Sequence, residues 1–153
     1  MFSQFTRVLK NIASRLSKEA ISYCYLDGSI KSEERIKLVG KFNNKEYSVF
    51  LISLKAGGTG LNLTAADTVI HFDPWWNPAV EDQATDRAHR FGQKHVVEVI
   101  KLVASGSIEE KIVKLQMEKK ELISKVLGDQ LQDSDTLLKL TDDDIAKLFD
   151  IVQ

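Results

Sequence analysis

Two arginines stand three residues apart in the segment Gln83-Ala-Thr-Asp-Arg-Ala-His-Arg-Phe-Gly-Gln93. On a helix, positions 83, 87 and 90 are i, i+4 and i+7, so Gln83, Arg87 and Arg90 would share one face. Ala84, Ala88 and Phe91 would share another, suited to packing on a sheet. A solvated helix laced by i,i+4 ion pairs explains Arg90, because Asp86 precedes it by four residues. It does not explain Arg87, which has Gln83 and Ala84 at those positions. Two guanidinium groups aimed from one face suit polydentate phosphate recognition. An arginine that neutralises charge on a transferring γ-phosphoryl group is worth about 10³–10⁵ in rate.

Upstream, Leu51-Ile-Ser-Leu-Lys-Ala-Gly-Gly-Thr-Gly-Leu-Asn-Leu63 runs from an apolar stretch into a loop with Gly57, Gly58 and Gly60. Such a loop lets backbone N–H groups approach an anion closely. It is neither GxxxxGK[ST] nor a dinucleotide fingerprint. Read alone, a tight strand-exit turn and a phosphate cradle both remain open. Asp73-Pro-Trp-Trp-Asn-Pro78 places Trp75 and Trp76 side by side, and an extended chain cannot point both into one core face. One is expected to be partly exposed, with filling of a core edge by both as the other reading. His71, His89 and His95 fit no zinc spacing, and a single cysteine, Cys24, allows no internal disulfide, so no metal site is expected.

These residues need elements to position them. Four short runs rich in Val, Ile, Phe and Tyr read as strands: 21–26, 48–54, 68–72 and 96–103. Helical spacing joins Phe5, Val8, Leu9, Ile12 and Leu16, then Ile36, Val39 and Phe42 after a start at Ser32. A third helix should open at Asn77-Pro78, where Asn caps and Pro fits the first position, and run to about Arg90. A fourth should start at Ser107, where Ser107-Ile-Glu-Glu110 reads as a capping box, and end before Gly128. Residues 128–139 read as a loop, and a last helix is expected over about 142–152. Strands alternating with helices predict an α/β fold with a mainly parallel sheet. Only Met1-Phe2-Ser3 precede the first helix, so the chain reads as cut inside or just after a strand.

Composition bounds the class. With 153 residues, 43% hydrophobic and 28% charged, the chain can bury a core of its own. A net charge of -1 argues against a wholly basic nucleic-acid binder but leaves room for a local basic track. Residues 1–105 carry 14 basic and 11 acidic residues, a net of +3, whereas 106–153 carry 7 and 11, a net of -4. The chain therefore divides near Gly106. No apolar run approaches the roughly 20 residues of a membrane span, and an intracellular setting is the default expectation.

Taken together, the strand leading into Lys-Ala-Gly-Gly-Thr-Gly-Leu-Asn-Leu63 and Thr68-Val-Ile-His-Phe-Asp-Pro-Trp-Trp-Asn-Pro78 through Gln93 resemble motifs V and VI of the Swi/Snf-type, superfamily-two helicase-like ATPases. Phe2-Ser-Gln-Phe5 resembles their motif IV, and Tyr25-Leu-Asp-Gly-Ser29 the segment after it. Residues 106–128 resemble the family's brace helix. The likeness covers essentially the whole chain.

The resemblance implies a RecA-like parallel sheet flanked by helices (residues 1–105) and a helical extension (106–153, with a brace helix at about 107–127). It implies the C-terminal lobe of an ATP-dependent duplex-DNA translocase or remodeller. Arg87 and Arg90 match arginines that reach the γ-phosphate across the cleft between lobes, and Gln83 the glutamine that leads their motif. Gly58, Gly60 and Asn62 match positions near the nucleotide. Ser3, Gln4, Ser53 and Lys55 match the DNA track, and Trp75 and Trp76 a tandem Trp that couples DNA to the ATP site. Thr59 departs from the Leu of many members. Implied partners are the N-terminal lobe, double-stranded DNA and DNA-bound protein complexes, with no membrane. The setting would be the bacterial cytoplasm and nucleoid, or a nucleus. ATP with Mg²⁺ would be bound mainly by the N-terminal lobe, since these 153 residues hold no GxxxxGK[ST] and no Asp-Glu-x-His. By itself the fragment is expected to be inactive. An RNA-helicase lobe is disfavoured because Gly is missing before Arg87 and DPWWNP is not expected there. A non-catalytic RecA-like interaction module is disfavoured by the retained arginines and glycine loop.

Overall fold

A computed structural model describes residues 1–56, 60–88 and 96–127, with side chains as far as 118. Five strands, β1 (Phe2–Ser3), β2 (Tyr23–Leu26), β3 (Val49–Ser53), β4 (Thr68–His71) and β5 (Glu98–Lys101), pair in the order β2-β3-β1-β4-β5. Every pairing is parallel. Four helices accompany them: α1 (Thr6–Lys18), α2 (Ser32–Asn43), α3 (Pro78–Thr85) and α4 (Ile108–Leu127). The chain first builds one side of β1 and then crosses to the other, which puts the topological switch at β1, between β3 and β4. In open parallel sheets the crevice beyond the carboxyl ends at such a switch is where ligands bind.

Both faces of the sheet are covered, so β3 reads as a continuous apolar run rather than an alternating one. Register places Cys24 beside Phe50 and Leu26 beside Ile52, while Tyr25 stands beside Leu51. The first set packs with Phe42 of α2 and Ala84 of α3. Leu51 turns the other way and packs with Leu9 and Ala13 of α1. Burial of Cys24 pushes its thiol up to about 11, as suits a core residue.

The strands are shorter than their apolar runs. The run 96–103 narrows to Glu98–Lys101, because β4 offers partners only from Thr68 to His71. The run 21–26 narrows to Tyr23–Leu26, because Ile21 N–H is taken by Leu16 C=O in the turn after α1. At the start of α4, Ser107 Oγ caps the helix but accepts from Glu109 N–H at 3.1 Å, not from the Glu110 N–H that a capping box would use. The reach-back differs from the capping box by one residue: Glu110 accepts from Gly106 N–H at 3.0 Å, not from Ser107. Gly106 has a φ of 69°, which turns its N–H toward that carboxylate. The expected loop 128–139 and helix 142–152 lie outside the described residues. No helix among the described residues is long and apolar enough to cross a membrane.

Candidate functional site

Part of the candidate site lies at the carboxyl ends of the strands. Ser3 closes β1 and Ser53 closes β3, paired side by side. Both are buried, and Ser3 Oγ accepts from Phe5 N–H at 3.1 Å. Gln4 follows at the surface of the switch point, where its backbone N–H donates to Asp73 Oδ2 at 2.9 Å, joining the ends of β1 and β4. Asp73 is buried, and its Oδ1 has no hydrogen bond among the described residues. Lys55, just beyond β3, is exposed. Of the four residues expected on a DNA track, Lys55 and Gln4 thus present side-chain surface, and the two serines do not. After β2, Ser29 hydroxyl (2.6 Å) and amide (2.9 Å) bonds hold the Asp27 carboxyl below its ordinary range. Burial and then the Asp27 bond push the Tyr25 phenol up to about 12.

Gly58 lies outside the described residues. Gly60 is exposed with a φ of 49° and open space where a Cβ would stand, so backbone conformation, not crowding, favours glycine. Asn62 is exposed. Asn43 at the end of α2 staples this segment: its Nδ2 donates to Asn62 C=O at 2.9 Å, and its Oδ1 accepts from Ala65 N–H at 3.2 Å. Gly60 and Asn62 form one wall of a cleft of about 360 Å³, with Ser32, Arg35 and Ile36 opposite. A larger cavity of about 500 Å³ opens at the amino ends of β3 and β4, with Leu63, Ala65 and Ala88 in its lining.

Downstream, Leu63 N–H donates to Arg87 C=O at 2.8 Å. This bond ties the segment leaving the glycine loop to the first of the two arginines. Asn77 Oδ1 accepts from Ala79 N–H at 3.1 Å and Pro78 takes the first position of α3, as the sequence predicts. The far end of that helix differs. α3 stops at Thr85 instead of running to Arg90. Backbone bonding tightens from Asp86 N–H to Asp82 C=O, four residues back, to Arg87 N–H to Ala84 C=O and Ala88 N–H to Thr85 C=O, three back. Three-residue steps turn the chain faster than an α-helix does, so the 83–87 face is lost. Gln83 is exposed and Arg87 is buried at 4% exposure. Arg90 lies outside the described residues.

Trp75 and Trp76 are both partly buried, with ring centroids 5.8 Å apart and planes tilted by 41°. Trp75 packs on the main core. Behind them sits a polar knot not anticipated from the sequence. Glu81 of α3, 1% exposed, accepts from Trp75 N–H through Oε1 and from Lys101 Nζ of β5 through Oε2. Gln116 of α4 donates to Trp75 C=O and stands 3.3 Å from Glu81 Oε1. One sequence signal existed: Gln116 is four residues after Ile112 and eight after Ile108, a polar residue in an apolar helical stripe. Nearby, His71 Nε2 lies 3.0 Å from Thr85 Oγ1, and burial holds the imidazole below its ordinary pKa. Among the described residues, no group of three or more His, Cys, Asp or Glu is placed to hold a metal ion.

Comparison with known proteins agrees with this architecture. Residues 1–92 match the model of the helicase conserved C-terminal domain. The chain is 46% identical over 151 residues to a protein of Mycoplasma pneumoniae named as an ATP-dependent helicase, covering 98% of this chain and 14% of that protein. It is 48% identical over 125 residues to an Arabidopsis thaliana protein named as a SWI/SNF-related regulator of chromatin, covering 80% and 14%. The crystal structure of the C-terminal part of the Fun30 ATPase domain superposes with a TM-score of 0.76 at 37% identity, covering 98% of this chain and 45% of that one. The chain thus spans about one seventh of these two curated relatives. The five-stranded parallel sheet of this order and the matches to these relatives place the chain in one family: it is a helicase C-terminal domain of the Swi/Snf-type ATP-dependent helicases.

Proposed function

We propose that this chain is the C-terminal lobe of an ATP-dependent duplex-DNA translocase or remodeller and supplies the arginine half of a composite ATP site. The observation that supports it most is the bond from Leu63 N–H to Arg87 C=O, which couples the glycine-loop exit to the arginine segment. On this reading Gly58, Gly60 and Asn62 approach the nucleotide, and Gln83 orients groups beside it. Arg90 and Arg87 neutralise the γ-phosphoryl charge as the lobes close. Because Arg87 is buried in the separate lobe, its delivery requires the 86–88 turn to open on closure. Lys55 and Gln4 face the DNA backbone, with Ser3 and Ser53 shaping the strand ends behind them. Trp75 and Trp76 carry the state of that track to α3 and the arginines.

The N-terminal lobe would hold the β- and γ-phosphates and the Mg²⁺, which screens their charge. Residues 106–153 form the helical extension. Such a motor works on DNA and DNA-bound protein complexes, in the bacterial nucleoid or a nucleus. The full-length protein should hydrolyse ATP with stimulation by duplex DNA, and residues 1–153 alone should not, with or without DNA. DNA-stimulated turnover by the purified chain would overturn the division of the site between lobes.

A further inference from the structure

Glu81, Lys101 and Gln116 come from α3, β5 and α4, and each has a side-chain nitrogen or oxygen within 3.4 Å of both others. Together they take both backbone groups of Trp75: the N–H goes to Glu81 and the C=O to Gln116. A buried carboxylate needs a counter-charge and hydrogen bonds, and Lys101 with Trp75 N–H already provides them. Gln116 adds something else. It is 3% exposed and spends its amide on a main-chain carbonyl 41 residues away. In a stripe where an apolar side chain would pack without any partner, a glutamine is tolerated only because those bonds are made. The result is a direct link between α4 and the backbone that carries the tandem Trp.

We propose that Glu81, Lys101 and Gln116 act as positioning residues, a clamp through which α4 fixes the Trp75–Trp76 segment and so sets how strongly DNA stimulates ATP turnover. This rests on the motor reading above for its functional part. α4 is thereby a control element: a force or partner that shifts it by one side-chain length unlocks the Trp75 carbonyl and leaves the sheet intact.

The test uses Gln116→Met in the full-length protein, which keeps length and helix preference and removes the amide. Backbone amide exchange at Trp75 should accelerate about tenfold or more, with β3 and β4 amides unchanged, as expected for local rather than global opening. DNA stimulation of ATP turnover should fall about tenfold with KM for ATP within about twofold, because the clamp acts on the response to DNA and touches no part of the proposed nucleotide site. Lys101→Arg should retain both properties and Lys101→Met should lose both. Unchanged Trp75 exchange in Gln116→Met overturns the clamp. Faster exchange with full DNA stimulation overturns its control of turnover while sparing the motor reading. Absence of DNA stimulation in the unaltered protein overturns the motor reading instead, and with it the control of turnover.

Discussion

Glu81 is 1% exposed, and a lysine, an amide and a backbone N–H surround its carboxylate. Removing the lysine charge without changing bulk, by Lys101→Met, leaves that carboxylate uncompensated. Stability should fall by on the order of 2 kcal/mol, below the usual range for interior pairs since Lys101 keeps 31% of its side chain exposed. Urea unfolding measures it, and adding Glu81→Gln should restore part of the loss. His71 makes a second prediction, with the sign set by its environment. Burial lowers its pKa in the folded protein; Lys101 lowers it further and Glu81 and Asp82 oppose. The unfolded chain therefore binds a proton near pH 6.5 that the folded chain refuses. This contribution is present above about pH 6.5 and is lost as pH falls from there through the folded pKa. Midpoints measured from pH 7.5 to 5 should fall less steeply in His71→Gln. At this scale the sequence spoke through local chemistry only. Asn77 and Pro78 could be placed because a cap bonds two residues away. The knot could not, because Lys101 and Gln116 lie 20 and 35 residues from Glu81 and only the folded sheet brings them together.

At the scale of elements, the capping bond at Asn77 decides where α3 begins and so where Glu81 points. Asn77→Ala frees the Ala79 N–H and should cost about 1 kcal/mol, readable by thermal or urea unfolding. Starts of helices were legible where caps are local, as at Asn77 and Ser107, whereas α2 begins at Ser32 as expected with Lys31 before it and no side-chain cap bond. The end of α3 was not. Nothing in Thr85-Asp86-Arg87-Ala88 breaks a helix by composition, yet the Leu63 bond to the Arg87 carbonyl and the three-residue steps redirect the chain. The shared face of Gln83 and Arg87 dissolved for that reason, although the arginine's place beside the glycine-loop exit did not depend on it. Strand ends failed differently. The apolar run at 96–103 has no way of registering that β4 pairs over only four residues.

At the scale of the molecule, alternating strands and helices predicted a parallel α/β sheet, but the order β2-β3-β1-β4-β5 depends on long-range pairing that no local pattern encodes. Placing β1 between β3 and β4 brings Gln4 beside Asp73 and aligns Lys55 and the tandem Trp along one edge. The net charge of -1 divides near Gly106 into +3 for residues 1–105 and -4 for 106–153, and under the proposed reading the modest positive share is what a surface gripping only a few phosphates would need. Under the proposed reading, this chain contributes charge neutralisation to a phosphoryl transfer whose remaining parts come from the N-terminal lobe. The decisive measurement is turnover of full-length Arg87→Ala at saturating ATP and duplex DNA, set beside its ATP affinity. Turnover should fall about 10³-fold or more, with ATP binding changed only a few-fold. Weakened ATP binding with turnover intact at saturation would rule out charge neutralisation by Arg87.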